Sequence, residues 1–372
     1  MTSLMDDVLN DADTDIMAAP FDPEAFQQCV NSSGFKFRPW DPHSKSAIRG
    51  HFMSTVEAKN DQPIGFATHH DWILGIRPWK RNLKVVGPDI AWGYTNRLPD
   101  SIFIQVLQQQ RFHDHLLPCI PKNHRFVLVT GDDDRSTPRQ SDKRYEPVMK
   151  PGTWDSWLKD KRISHLFVEH LDSPAPASQV TPIPLGLNPR EFKSFTDEAA
   201  VKELEGAVEI SKRKPISVLF TNRVRNGDQW VERGQARDLC EALPHCTEAR
   251  IDQTNFLREI KNHTFLICVH GGGVDPNPNL FQALIAGVIP IMAPFPGDSM
   301  YKGLPIVVTD GKWNDPNSKF FSPDYLSAQL DELAPLFENP EKRAEVVERL
   351  TMKYWWNKVE IEINKNKRLL LP

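Results

Sequence analysis

Three clusters of titratable side chains stand beside apolar runs in the first half of the chain. They are His69-His70-Asp71 after Ile64–Thr68, Asp132-Asp133-Asp134 after Arg125–Thr130, and Glu169-His170 after Ile163–Val168. A histidine or carboxylate at a strand end, within reach of a hydroxyl, can take its proton. The sequence does not separate the three, so His70, Asp133 and Glu169 stand together as base candidates. Asp132 and Asp134 also form a D-x-D pattern, the arrangement that holds a divalent ion on a diphosphate. In the second half Arg223 and Arg225 follow the apolar run Ile216–Thr221, and Arg233 follows on the next predicted helix. Guanidinium groups there would meet an anion with charge-assisted hydrogen bonds.

The most informative segment is ICVHGGGVDPNPNLFQALIAGVIPIM, Ile267 to Met292. It reads as strand, tight turn, helix, strand. Gly271, Gly272 and Gly273 carry no Cβ, so the backbone can turn sharply and approach another group closely. The helix that follows presents unpaired N–H groups and the positive end of its dipole, which suits a diphosphate. Such a site lies beyond the carboxyl end of a parallel strand. A tight strand-to-helix turn without a ligand is the competing reading.

The elements around these residues alternate between strand and helix. Apolar runs at Leu83–Val86, Ile102–Leu107, Arg125–Thr130, Ile163–Val168 and Thr181–Leu187 predict strands in the first half. A charged helix over Asp197–Ile210 would link the halves. Ile216–Thr221, Thr264–Val269, Val288–Met292 and Ile306–Thr309 predict the second set. Helices are expected over Gln229–Ala242, Asn279–Ala286, Tyr325–Phe337 and Glu341–Lys358. Alternation of this kind implies an α/β protein with two doubly wound, Rossmann-like parallel sheets. The expected division is an acidic mobile leader over 1–20, a first domain over 21–205, a second over 206–350, and a last helix over 351–372 that crosses back to the first.

The segment Ile267–Met292 resembles the donor-site signature of exostosin-like glycosyltransferases of GT-B architecture. LFVEHLDSPAPASQVTPIPLGLN and SVLFTNRVRNGDQWVER are similar to the stretches that close its first domain and open its second. The resemblance covers Ile163 to Val308. It implies two Rossmann-like domains facing a cleft and transfer of a hexosyl or pentosyl group from a nucleoside-diphosphate sugar with inversion and no catalytic metal. The donor would meet Arg223, Arg225, Arg233, His270, Gly271, Gly272, Gly273, Asp275, Asn279 and Gln282. The base would come from the first domain. Two positions depart from the pattern: Gln282 stands where the family carries a Glu for the ribose hydroxyls, and Asn279 where it often carries a basic residue. Three alternatives follow: a metal-dependent D-x-D transferase, a sugar-nucleotide epimerase, and a non-catalytic relative that binds nucleotide or glycan. Trp72, Trp79 and Trp92, interleaved with Arg77, Lys80, Arg81 and Lys84, could stack a saccharide acceptor. Trp72, Trp79 and Arg77 lead that set. The same patch would suit a nucleic-acid acceptor, and that alternative stays open.

The 372 residues carry 45 Lys+Arg against 49 Asp+Glu, a near balance that argues against a bulk polyanion binder. The longest apolar stretch, Ala283–Phe295, is too short to span a bilayer and holds Gly287, Pro290 and Pro294. The five cysteines are odd in number and scattered, with no CxxC pair, so neither a disulfide framework nor a zinc knuckle is expected. Together with the absence of a signal pattern, this reads as a reduced, cytoplasmic protein.

Overall fold

A computed structural model describes residues 21–44, 50–54, 57–59, 62–75, 89–141, 144–187, 206–213, 215–225, 227, 230–252 and 255–369. The expected strand at Leu83–Val86, most of the linking helix over Asp197–Ile210, and the acceptor candidates Arg77 and Trp79 lie outside the described residues.

The first sheet contains β1 (Lys36–Arg38), β4 (Trp72–Leu74), β5 (Ile90–Trp92), β6 (Ser101–Gln105), β7 (Phe126–Gly131), β8 (Ile163–Glu169) and β9 (Val180–Ile183), in the order β1-β5-β4-β6-β7-β8-β9. Only β4 and β5 pair antiparallel; the other pairings are parallel. A separate antiparallel hairpin joins β2 (Glu57–Lys59) to β3 (Gln62–Ile64). β6, β7 and β8 are apolar on both faces, as a sheet covered on both sides requires. Ile102, Ile104, Leu128, Leu166 and Val168 point to one cluster, with Phe26 and Val30 of α1 (Pro23–Ser32) and Trp157 of α2 (Thr153–Lys159). Phe103, Val127, Val129 and Phe167 alternate with them and point to the other cluster, which continues into the second domain.

The second sheet runs β11-β10-β12-β13-β14 and is parallel throughout. Its strands are β10 (Val218–Phe220), β11 (Cys246–Glu248), β12 (Phe265–Ile267), β13 (Ile289–Met292) and β14 (Val307–Val308). α3 (Val231–Ala242), α4 (Phe256–Ile260) and α5 (Asn277–Ala286) make the crossovers. α5 is apolar around nearly its whole girth and is buried accordingly. Gly287 ends it at φ 68°, the left-handed region that glycine enters at no steric cost. Buried Arg343 then donates to the carbonyls of Leu284 (2.7 Å) and Ile285 (2.8 Å) in the last turn.

The expected helix over Glu341–Lys358 is two helices, α7 (Pro340–Glu348) and α8 (Met352–Leu369), following α6 (Pro323–Leu333). The break has a cause. The carbonyl of Leu350 accepts from Met53 N–H at 2.8 Å, and Met352 N–H donates to His51 at 2.9 Å, so the chain leaves the helix to pair with the first domain. α8 then lies against that domain, where Asn366 Nδ2 donates to Ser164 Oγ at 2.7 Å and Lys367 meets Asp100 at 2.9 Å.

The cysteine expectation is overturned. Cys29 pairs with Cys119, Cys240 pairs with Cys246, and Cys268 is buried and free. The first pair joins residues 90 apart, which spacing cannot reveal because the fold alone brings them together. Among the described residues no helix is long and apolar enough to cross a membrane. The architecture is two Rossmann-like α/β domains whose strands point their carboxyl ends at each other, the GT-B arrangement.

Candidate functional site

Strand direction sorts the three titratable clusters. Asp132–Asp134 and Glu169-His170 leave the carboxyl ends of β7 and β8, where ligands of parallel sheets bind. His69-His70-Asp71 precede β4, which runs parallel to β6, and so stand at the opposite edge. His70 is fully buried among the rings of Phe66, Phe103 and Trp356. Neither of its ring nitrogens has a hydrogen-bond partner among the described residues. Burial, with the neighbouring His69, holds its pKa well below the usual value. This corrects the base reading for His70: the apolar run before it is a hairpin strand and a 3-10 turn, not a strand aimed at the cleft. Asp71 accepts from the backbone N–H groups of Asp100 and Ser101 and is structural.

At the cleft edge the backbone of Asp132 (φ 63°) and of His170 (φ 53°) is left-handed, uncommon for non-glycine residues. Asp132 N–H donates to Glu169 Oε2 at 2.9 Å, joining the two strand ends. Asp133 is buried and pairs with Arg135 at 2.9 Å. Asp134 is half-exposed and meets Arg144 Nη2 at 3.2 Å. His170 is buried, and burial lowers its pKa to about 4 despite the nearby Asp134 and Asp133. Its Nδ1 accepts from the N–H of Asp275, in the second domain, at 3.3 Å. That fixes a neutral ring with the proton on Nε2, 3.7 Å from Glu169 Oε1.

The glycine triplet has a more specific use than the sequence suggests. A Cβ on Gly273 would overlap the His170 ring, and one on Gly272 would overlap Asp134 and the Arg144 guanidinium. One on Gly271 would stand 2.9 Å from Arg233 Nη2. Gly272 and Gly273 thus admit side chains of the opposite domain, and Gly271 admits Arg233 of its own. Asp275 holds the same junction: Leu185 N–H donates to its Oδ2 at 3.1 Å, and Tyr301 Oη donates to Oδ1 and Oδ2 at 3.0 and 2.9 Å. Burial pushes its pKa up to about 7. With both carboxylate oxygens occupied, Asp275 is a tie between domains, which corrects its reading as a donor contact. Asn279 is half-buried on α5 and Gln282 is buried.

Beside the triplet, a cavity of about 270 Å³ opens at the carboxyl ends of β12, β13 and β14, next to the start of α5. Glu232, His270, Pro276, Phe295 and Asp310 help to line it, whereas Asn279 and Gln282 do not. His270 Nε2 pairs with Glu232 Oε2 at 3.1 Å. Burial opposes a charge on His270, but the Glu232 hydrogen bond and charge outweigh it, and its pKa is raised. Arg233 Nε donates to the His270 carbonyl at 2.9 Å, so the cavity rim is also the edge of a guanidinium cluster. Arg233, Arg225 and Arg144 lie 4.8, 5.2 and 5.3 Å from the centre of the Trp230 ring. Arg223 is exposed and accepts from Arg233 Nη1 through its carbonyl.

Trp230, Glu232, Tyr301 and Arg144 escaped the sequence reading. Trp230 and Glu232 adjoin Arg233 in the quoted motif, so proximity to a predicted strand end was their signal. Tyr301 and Arg144 follow no motif. The acceptor reading of Trp72 is corrected: the ring is 1% exposed, packs on Phe26 and Phe37, and donates its Nε1–H to the Tyr94 carbonyl at 2.9 Å. Trp92 is likewise buried on β5. Among the described residues no three His, Cys, Asp or Glu side chains gather as a metal site.

No protein-family model and no curated protein matches the sequence. Solved structures are similar at low identity. A structure of trehalose-6-phosphate from E. coli bound with UDP-2-fluoro glucose is 10% identical over 72% of each chain, with a TM-score of 0.35. Alr3699/HepE of Anabaena in complex with UDP-glucose is 10% identical over 73% of this chain and 79% of that one, with a TM-score of 0.36. Trehalose-6-phosphate synthase OtsA is 8% identical over 94% of each chain, with a TM-score of 0.35.

Proposed function

We propose that the protein is a glycosyltransferase that uses a nucleoside-diphosphate sugar. The observation that carries this reading is the cavity lined by Glu232, His270, Phe295 and Asp310, with Arg233 on the His270 carbonyl at its edge, Arg225 beside Arg233 on the Trp230 ring, and a half-exposed carboxylate, Asp134, against Gly272 from the other domain. Phe295 offers a ring to a base, and the acidic lining offers acceptors to ribose hydroxyls. Arg225 and Arg233 would hold the diphosphate.

The transfer itself would invert the sugar. Asp134 takes the proton from an acceptor hydroxyl, the oxygen attacks the anomeric carbon, and the bond from that carbon to the diphosphate breaks. The electron pair leaves on the diphosphate, where the guanidinium groups stabilise it without a catalytic metal. Among the carboxylates at this edge Asp134 is the half-exposed one, whereas Asp133 is buried against Arg135 and Glu169 accepts from Asp132. A saccharide is the expected acceptor.

Titration of UDP, GDP, ADP, CMP and dTDP, with and without EDTA, tests the reading. One tightly bound nucleotide, raising the melting temperature and indifferent to EDTA, is the expected result. A requirement for a divalent ion would move the assignment to the Asp132–Asp134 metal reading. No binding would overturn the donor site.

The compartment belongs to the same proposal. Two disulfides favour an oxidising compartment over the cytoplasm. Thiol titration of the unreduced, denatured chain should find one thiol, Cys268; five would restore the cytoplasmic reading.

A further inference from the structure

Trp230 is the meeting point of three guanidinium groups that come from both domains. Arg225 and Arg233 belong to the second domain and Arg144 to the first, all within 5.3 Å of the ring centre. Trp230 is 8% exposed and is the shared platform under the three cations, of which Arg233 is half-buried while Arg144 and Arg225 stay open to solvent. Asp134 meets this trio through Arg144. Arg225 and Arg233 form no salt bridge among the described residues. Next door, Arg135 is matched by Asp133, so it adds no net charge. Burial, followed by the like charge of Arg225, lowers the pKa of Arg233 to about 10, with Asp134 opposing and Arg144 adding to the effect.

We propose that Arg144 is a donor-binding residue contributed by the first domain, reaching over Gly272 to complete with Arg225 and Arg233 a cross-cleft clamp for the diphosphate. The inference rests on the donor reading above. It gives Asp134 a second part: with the clamp empty it holds Arg144, and an incoming diphosphate competes with it for the same guanidinium. It also accounts for Gly272, where a Cβ would overlap the Arg144 guanidinium.

The test is calorimetric titration of UDP, GDP, ADP and dTDP, each beside its own nucleoside, into wild type, R144Q, R144K and D134N. R144Q should weaken the nucleoside diphosphate by roughly 10- to 100-fold, the scale of a lost charged hydrogen bond, and leave the nucleoside unchanged. R144K should recover part of the loss, since it keeps the charge but not the planar fork. D134N should strengthen the diphosphate severalfold, because Arg144 is released to it. That gain is a sign misfolding would not produce, so it decides the matter even if R144Q folds poorly. Equal losses for nucleoside and diphosphate in R144Q would mean a structural role and overturn the clamp. So would wild-type affinity in R144Q, or no gain in D134N. Failure of all four diphosphates to bind wild type would overturn the donor reading and the clamp together.

Discussion

His70 and His170 are both fully buried, and burial lowers the pKa of both. They nevertheless sit at opposite ends of one sheet and have different company. His70 stands before β4 in a box of aromatic rings with both nitrogens unpartnered among the described residues. His170 stands after β8 and accepts a hydrogen bond from the second domain. A histidine's chemical use therefore follows from the end of the strand that carries it, because only the carboxyl ends of these sheets face one another. At His70 a polar ring fills an apolar volume, whereas at His170 it is part of the junction between domains.

The largest expected effect comes from removing the His170 ring, with His70 as its counterpart. H170A leaves the Asp275 N–H without its acceptor and opens a void between domains, at a cost of about 3 kcal/mol in denaturant unfolding and a loss of transfer activity. H70L replaces a buried, unsatisfied ring by an apolar side chain and should hold stability within about 1 kcal/mol with activity intact. A collapse of activity in H70L with its fold preserved would return His70 to the chemistry and break the comparison.

A somewhat smaller effect is expected at Gly273, whose missing Cβ makes room for the His170 ring. G273A should cost about 1–3 kcal/mol, since the ring or the loop must shift. It should also weaken activity without altering the thiol count. If G273A is neutral in both stability and activity, His170 is not pressed against the triplet and the junction is looser than its geometry indicates.

The pH dependence sharpens the pair further. Each histidine has a folded pKa below its unfolded value of 6.5. Below that pH the unfolded chain takes up protons that the folded rings refuse, so each lowers stability as pH falls from 6.5. For His170 the loss grows down to about pH 4. Asp275 opposes it: its folded pKa is raised to about 7 from 3.8, so its contribution is present at low pH and is lost as pH rises through 7. H70L should therefore lose less in melting temperature than wild type between pH 6.5 and pH 5. D275N should lose more. An unchanged slope in H70L would mean that His70 titrates in the fold as it does in the unfolded chain.

Much of this was legible in the chain. Continuous apolar runs such as FVLVT and TFLIC marked buried parallel strands, and HGGGVDPNP marked the turn into α5 because strand, glycines and helix follow one another locally. The edge to which each titratable cluster belongs was not legible, since it depends on where β4 starts and which neighbour it pairs with. The Cys29–Cys119 pair, Arg144 over Trp230, and Tyr301 on Asp275 were hidden for a related reason: each contact joins distant segments that only the fold brings together. Trp72 misled because polar and charged neighbours in sequence made it look like a loop residue, while β4 carries it into the core.

The smallest effect tests the same logic at a glycine with no neighbour. Gly234 lies within α3, adjoins Arg233, and has nothing within 4 Å of the position a Cβ would take. Alanine there should stabilise the protein by about 0.5–1 kcal/mol, because glycine has the greater unfolded freedom and the lower helix propensity. Nucleotide binding should be unchanged. The contrast with G273A matters because both glycines adjoin residues of the proposed donor site in sequence, and one faces a side chain of the opposite domain while the other faces open space. A loss of nucleotide affinity in G234A would show that the donor reaches across this turn of α3, placing the anion on the far side of Arg233 from Trp230 and against the clamp.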